Sequence, residues 1–376
     1  MNIPFNRTYL TGKEIEYISK VVLSGDIKGD GPYTKKCQQW VEQTLDVKKV
    51  LLTNSCTAAL EMAALLCQIE PGDEVILPSF TFVSTANAFV LFGARPVFID
   101  IRRDTLNIDE QLIEEKITEK TKYICPVHYG GVACNMTSIS AIAKKHNLLI
   151  VEDAASAMLA KYKDKYLGTI GDIGTFSFHE TKNCSSGEGG AILINRDDFV
   201  DRAEIIREKG TDRSRFFRGE VEKYSWIDVG SNYLPSEIIA AFLYAQIEHA
   251  HDINKRRQYI WQKYRMGLDI LQDKEKVQLP GIPSECEHNA HLFYLLLQDE
   301  TTRDRLMTYL REAGIWTVFH YLPLQSSVMG KKFGYSRSDC PVSVDISGRL
   351  LRLPFFNALT ESEQDYIIVK IKEFFA

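Results

Sequence analysis

A chain of 376 residues, 45% hydrophobic and 25% charged, is too long for one small domain and suits a large globular unit followed by a smaller one. Its net charge of −5 gives it no electrostatic pull toward nucleic acid. No run approaches the roughly 20 apolar residues of a membrane span, and the opening MNIPFNRTYLTGKEIEY lacks the pattern of a secretion signal, so a cytoplasmic location is expected.

In chain order, GDGPYT at 29–34 joins no strand to a helix, which argues against a dinucleotide fold. From about residue 50 to 200 two periods alternate. Strands are expected at Val75–Leu77, Pro96–Asp100, Tyr123–Val127, Leu148–Glu152, Thr175–Phe178 and Ala191–Ile194. Helices are expected at Thr57–Cys67, Ser84–Phe92, Ile108–Ile117 and Thr137–Lys145. The strands are apolar throughout, so the fold class is α/β: a mainly parallel sheet wrapped by helices on both faces. A charged, aromatic-rich stretch follows at 207–237, then a long helical region, Ser236–Leu271, and a Pro/Gly break at Leu279–Pro283. The remainder reads as a small α/β unit: a strand at Leu292–Leu297, a helix at Arg303–Ala313, a strand near Thr317–His320 and a closing helix from Ser362. The expected division is a large cofactor-binding domain at 1–250 and a small domain at 251–376.

Eight scattered cysteines without a C-x-x-C pair read as reduced thiols. Cys125, His128 and Cys134 lie close in sequence, but no fourth ligand recurs at a zinc-like spacing, so packing is expected there and no metal.

Ligands in open α/β sheets gather where strands end and helices begin. Lys182, in FSFHETKNCSSGEGG, stands just past a buried strand. It is either a surface lysine or one whose amine, deprotonated by desolvation, forms an imine with an aldehyde. Asp153 closes the run LLIVED, 29 residues earlier. It is either a helix cap or a carboxylate that keeps a cofactor's ring nitrogen protonated. In TNSCTAALEMAALL the backbone N–H groups of Cys56, Thr57 and Ala58 open a helix and can face a phosphate, with the hydroxyls of Thr57 and Ser177 completing a cradle. Phe82 is the first choice for an aromatic that stacks on a ring, with Phe80 as runner-up and core packing open for both.

LTNSCTAALEMAALL, PGDEVILPSFTFVSTANAFV, VEDAAS, GTFSFHETK and GEGGAILI together resemble, in order, the motifs of the DegT/DnrJ family of sugar aminotransferases. The resemblance covers nearly the whole chain. It implies a fold-type-I enzyme with pyridoxal 5′-phosphate as cofactor, Lys182 as the Schiff-base lysine and Asp153 as the partner of the ring nitrogen. It further implies phosphate contacts from Thr57 and Ser177 and stacking by Phe82. Asn232, in GSNYLPSE, matches an asparagine that reaches the phosphate of a neighbouring subunit, so a homodimer or larger assembly with shared sites is implied.

The implied reaction moves an amino group from glutamate to a nucleotide-linked keto sugar. Within the family, REKGTDRSRFFRGEVEKYSWIDVGSNYLPSE, PVHYGGVACNM and IPFNRTYLTGKE point to C4 of a dTDP-4-keto-6-deoxyhexose, for surface polysaccharide such as enterobacterial common antigen or O-antigen. Lys182 would move the proton as a general acid–base, with ping-pong kinetics. Arg215, Arg218 and Lys223, interleaved with Phe217, Tyr224 and Trp226, are candidates for the sugar diphosphate, and His320 and Tyr321 for the sugar. Two positions depart from the family: Ser156 stands where relatives carry Gln or His beside the cofactor's phenolic oxygen, and Gln325 replaces a histidine in PLH. C3 amination or another nucleotide stays open. A dehydratase on the same fold carries His in place of Lys182, and a regulator without catalysis has no need of Lys182, Asp153 and Ser177 together.

Overall fold

The computed structural model describes residues 1–376. Seven strands form the main sheet: β1 (Lys49–Thr53), β2 (Glu74–Pro78), β3 (Arg95–Ile99), β4 (Thr121–Ile124), β5 (Leu149–Asp153), β8 (Ile173–Ser177) and β9 (Gly190–Ile194). Between β5 and β8 lies a small hairpin, β6 (Lys161–Tyr162) and β7 (Lys165–Tyr166). The order across the main sheet is β1-β9-β8-β5-β4-β2-β3. Strand β9 runs against both neighbours, while the other adjacent pairs are parallel. Six strands therefore share one direction, and their carboxyl ends lie along one edge.

The pleat divides the core between two faces. Ile192 and Ile194 of β9 join Leu51, Leu60 and Met62 on one face; Ala191 and Leu193 join Val50, Leu52 and Phe176 on the other. Helices cover both. On the first face, the helix Cys56–Leu66 starts where Ser55 Oγ accepts from the Ala58 N–H at 3.0 Å, a cap of about 1 kcal/mol. On the second, the helix Pro32–Leu45 begins with proline and receives the buried Glu237 carboxylate on the N–H groups of Tyr33 and Thr34.

A second, antiparallel sheet follows in the order β10-β12-β13, from β10 (Val277–Gln278), β12 (Tyr294–Leu297) and β13 (Leu350–Arg352); β11 (Cys286–Glu287) instead extends the β6–β7 hairpin. The helices Glu300–Glu312 and Glu361–Phe375 pack beside it. One helix, Ala250–Asp273, serves both units: Ile253 sits in the core of the main sheet, and Ile260, Tyr264 and Leu268 in that of the second. The chain's start also joins the second core. Ile3 donates to Gly314 O at 2.8 Å and accepts from Trp316 N at 3.0 Å. No helix is long and apolar enough to cross a membrane.

Three expected elements differ. Residues 108–117 form two short 3₁₀ turns, because Ile108 and Ile113, the buried anchors, are five residues apart and cannot share one α-helical face. The region 236–271 is two helices, broken at Glu248–His249. Residues 317–320 make no strand: Ile315 bridges to Ile3 and Val318 to Arg352, so no one ladder runs along the segment.

Candidate active site

At the shared carboxyl edge of the main sheet lies a cavity of about 760 Å³, roofed by Phe319–Leu322, His291 and Arg352 from the C-terminal unit. Lys182 reaches it from the wide turn between β8 and β9. That turn is pinned at its neck by Phe178 N–H to Gly189 O (2.8 Å) and closed by Ser186 N–H to Phe178 O (2.8 Å). The Lys182 ammonium donates to Ser156 Oγ at 2.9 Å. Its side chain opens onto the cavity but is walled by protein, and this burial lowers its pKa; Cys56 and Asp153 oppose the shift and Arg352 adds to it. The amine thus deprotonates more readily than a surface lysine. Ser156, noted in the sequence for its shortness, is the partner of this amine.

Asp153 lies at the last position of β5, 5% exposed, on the same cavity. Its Oδ2 accepts from Thr85 Oγ1 at 2.7 Å and its Oδ1 from Ala155 N at 3.1 Å. Thr85 is linked in turn to Thr81 at 2.9 Å. Pleating sends the preceding Glu152 to the opposite side. There it takes the N–H groups of Gly168 (2.9 Å), Ile170 (2.7 Å) and Gly171 (2.6 Å) and meets His128 Nε2 at 2.9 Å. His128 Nδ1 accepts from Cys134 N–H, and the Cys134 thiol donates to Val127 O. The Cys125, His128 and Cys134 cluster is thus spent on packing and internal hydrogen bonds.

The start of the helix Cys56–Leu66 forms another wall. First-turn N–H groups have no intrahelical acceptor, but Ser55 takes that of Ala58, which lies off the cavity. The expected cradle therefore keeps Cys56 and Thr57 and loses Ala58. Thr57 Oγ1 hydrogen-bonds Ser84 Oγ at 2.7 Å, and Ser177 lines the cavity beside it. A Cβ on Gly190 would stand 2.4 Å from Cys56 N, so only glycine lets β9 approach this helix start. Phe82 caps the next helix, is 56% exposed and turns onto the cavity. Phe80 is sealed between Tyr129 and Tyr321, which leaves Phe82 as the available ring face.

His320 and Tyr321 stack with ring centroids 3.7 Å apart, and both line the cavity. His320 Nδ1 lies 3.1 Å from Tyr129 Oη and Nε2 lies 2.9 Å from Arg352 Nη1. Burial, then Arg352 and Lys182, push the His320 pKa far down, so the ring is neutral. Thr85, Tyr129 and Arg352 escaped the sequence reading. Arg352 had one signal, a cation flanked by Leu351 and Leu353 in a short strand.

Other expected residues lie elsewhere. Gln325 is fully buried, accepts from the Ser79 hydroxyl and donates to Cys340 O, so it is closed to a sugar. Arg215 pairs with Asp201 at 2.8 Å, and Arg218 with Glu204 at 2.7 Å and Glu220 at 2.6 Å. These two, with exposed Lys223 and Tyr224, stand outside the chain's own cavity. Asn232 does too, with its carbonyl accepting from Asn54 Nδ2.

The cavity meets the demands of pyridoxal phosphate. It joins a desolvated amine with no carboxylate bound to it, a buried carboxylate, a helix start with free N–H groups beside two hydroxyls, and an open aromatic face.

The model of the DegT/DnrJ/EryC1/StrS aminotransferase family matches residues 8–372. The chain is 33% identical over 375 residues to the GDP-perosamine synthase of Escherichia coli O157:H7, covering 100% of this chain and 99% of that protein. It is 31% identical over 384 residues to the spore coat polysaccharide biosynthesis protein SpsC of Bacillus subtilis, covering 99% and 96%. Among solved structures, it superposes at a TM-score of 0.91 and 27% identity on the PLP form of Spr1654, a candidate sugar aminotransferase of Streptococcus pneumoniae, covering 100% and 98%. The PMP form of that protein gives the same TM-score of 0.91.

Proposed function

Because the chain belongs to the DegT/DnrJ/EryC1/StrS aminotransferase family and is a pyridoxal-phosphate-dependent sugar aminotransferase, we propose that it moves the amino group of glutamate to C4 of a dTDP-4-keto-6-deoxyhexose. The product would feed surface-polysaccharide synthesis. The observation that carries the chemistry is the meeting of the Lys182 amine and the Asp153 carboxylate on one cavity. The substrate rests on the likeness of the 207–237, 126–136 and 3–14 stretches to enzymes of that specificity. A second reading, a GDP-linked keto sugar, is favoured by the similarity to GDP-perosamine synthase.

Bound pyridoxal phosphate supplies an aldehyde for amine exchange and a ring that withdraws electrons. Asp153 offers its charge to a protonated ring nitrogen, with Thr85 and the Ala155 N–H fixing its direction. Cys56 and Thr57 N–H groups and the Thr57 and Ser177 hydroxyls would hold the phosphate, and Phe82 would cover the ring. The Lys182 amine, which burial makes easier to deprotonate, moves the proton at the reacting carbon. The roof His320–Tyr321 keeps water from that carbon.

Phe217 and Trp226, 69% and 79% exposed, lie on the same loop as Arg215, Arg218, Lys223 and Tyr224. We place this loop and Asn232 at the site of a partner subunit in a homodimer, where the cations face the sugar diphosphate. The deciding experiment incubates the holoenzyme with dTDP-4-keto-6-deoxyglucose and L-glutamate and identifies the product by mass and NMR. A dTDP-sugar aminated at C4 is expected. Amination at C3, or turnover with the GDP sugar alone, overturns the reading.

A further inference from the structure

Ser156 and Lys182 come from different turns, one after β5 and one between β8 and β9, yet the amine and the hydroxyl meet at 2.9 Å. A serine hydroxyl stands one atom beyond Cβ, so its reach is set by the backbone beneath it; a longer side chain adjusts by changing rotamer. Both turns are tied to one buried residue. Asn289, 1% exposed, lies off the cavity in the crossing from β11 to β12. Its Nδ2 donates to Ser156 O and to Met158 O, each at 2.9 Å. Its main-chain oxygen accepts from Nδ2 of Asn183, the residue after Lys182, at 2.9 Å. Asn183 Oδ1 accepts in turn from His291 Nδ1 at 3.0 Å, so the lysine turn is held at two points of the same crossing.

The crossing is itself clamped. Arg257, in the helix shared by the two units, donates to Ala290 O at 3.0 Å and to His291 O at 2.6 Å. The orientation of the Asn289 amide is forced as well, because both of its targets are carbonyl oxygens that only the NH₂ end can meet. Its Oδ1 is left buried without a partner, against Gly131, where a Cβ would stand 1.9 Å away. An apolar side chain would carry no such orphaned acceptor. The position therefore suits an amide for its two donations alone.

We propose that Asn289 is a positioning residue for Lys182: by holding Ser156 O and the Asn183 amide at once, it sets the distance between the Ser156 hydroxyl and the lysine amine and so readies that amine for the cofactor's aldehyde. This rests on Lys182 being the amine that holds the cofactor. Asn289 touches neither the lysine nor the cavity and acts through the two turns that it joins.

The test mixes cofactor-free protein with pyridoxal 5′-phosphate and follows the visible absorbance of lysine-held cofactor, with no donor or sugar present. Asn289→Ala and Ser156→Ala are each expected to lower the rate at saturating cofactor about 10-fold, the scale of one hydrogen bond to a reacting group. The half-saturating cofactor concentration should stay within about threefold, because the helix start that faces the phosphate is untouched. The double variant should be no slower than either single, since both changes undo the same contact. Losses that multiply to about 100-fold in the double variant overturn the proposal. So does a wild-type rate in either single variant, or a loss seen only in the half-saturating concentration. Should Asn289→Ala fail to fold, Asn183→Ala, which frees the lysine turn alone, takes its place in the cycle. Lys182→Ala is the control, and absorbance retained in it removes the reading of Lys182 together with this proposal. An inert Lys182→Ala beside a wild-type rate in Asn289→Ala removes this proposal alone.

Discussion

Thr85 holds Asp153. Its hydroxyl hydrogen goes to Asp153 Oδ2 over 2.7 Å, so its oxygen is left to accept from Thr81. The carboxylate proposed to face the ring nitrogen thus takes its direction from a helix two strands away in the sequence. Thr85→Val keeps the shape and deletes the donor. We expect a loss of about 1–3 kcal/mol in urea unfolding and slower turnover, with the enzyme still binding cofactor. Asp153→Asn is the harsher change, lowering turnover about 10- to 1000-fold as 1–3 units of ring-nitrogen pKa are lost. Unchanged rates in both variants would separate Asp153 from the chemistry.

Lys182→Arg removes an amine that can lose its proton. It should abolish both the visible absorbance of lysine-held cofactor and turnover, with the circular dichroism of the fold kept. Retained turnover would remove Lys182 from its role.

Gly190→Ala forces a methyl against Cys56 N, where 2.4 Å is allowed. Overpacking of this kind costs about 1–3 kcal/mol. The strain falls on the first turn of the helix proposed to face the phosphate, so cofactor affinity should weaken beyond the loss in stability. Equilibrium dialysis of the cofactor checks it; an unchanged affinity speaks against the cradle.

Acid should weaken this fold through imidazoles. Burial lowers the His288 pKa to about 4 and lowers those of His291 and His320 as well. Unfolded, each takes a proton near pH 6.5. Between pH 6.5 and 4 the unfolded chain binds more protons than the folded one, so stability falls as pH falls, by up to about 1.4 kcal/mol per pH unit for each histidine. Urea midpoints at pH 7, 6 and 5 should drop in step, and His288→Gln should flatten the slope. A midpoint level across that range contradicts the burial.

If the 213–232 loop completes a partner's site, two dead enzymes can mend each other. Lys182→Ala and Asn232→Ala homodimers, each nearly inactive, should regain about a quarter of wild-type activity when subunits are allowed to exchange, since one site of each mixed dimer is intact. No recovery after verified exchange places both residues in one subunit's site.

Much of this was legible in the sequence. A buried strand ending in a polar residue announces a ligand, and LLIVED and TFSF led to Asp153 and Ser177 for that reason. The helix start at Cys56 was equally plain, but sequence could not show that Ser55 would claim the Ala58 N–H. Arg352 was illegible because its burial depends on Phe5 and Val318, far away in the chain. Arg349, three residues earlier, ends on Leu297 O and Asp345 instead, and nothing local tells the two arginines apart. The departure at Gln325 could not be weighed for a related reason: its partner Ser79 is remote in sequence.

Ile3 is tied to Gly314 and Trp316, and Phe5 lies under Arg352. Their seats lie near the far end of the sequence, so they are filled only once nearly everything between has been translated. Until then they trail unpaired, exposed to proteases and chaperones. Replacing Ile3 and Phe5 should leave the main sheet assembled yet unfasten the packing behind the cavity roof, giving well-expressed but sluggish protein.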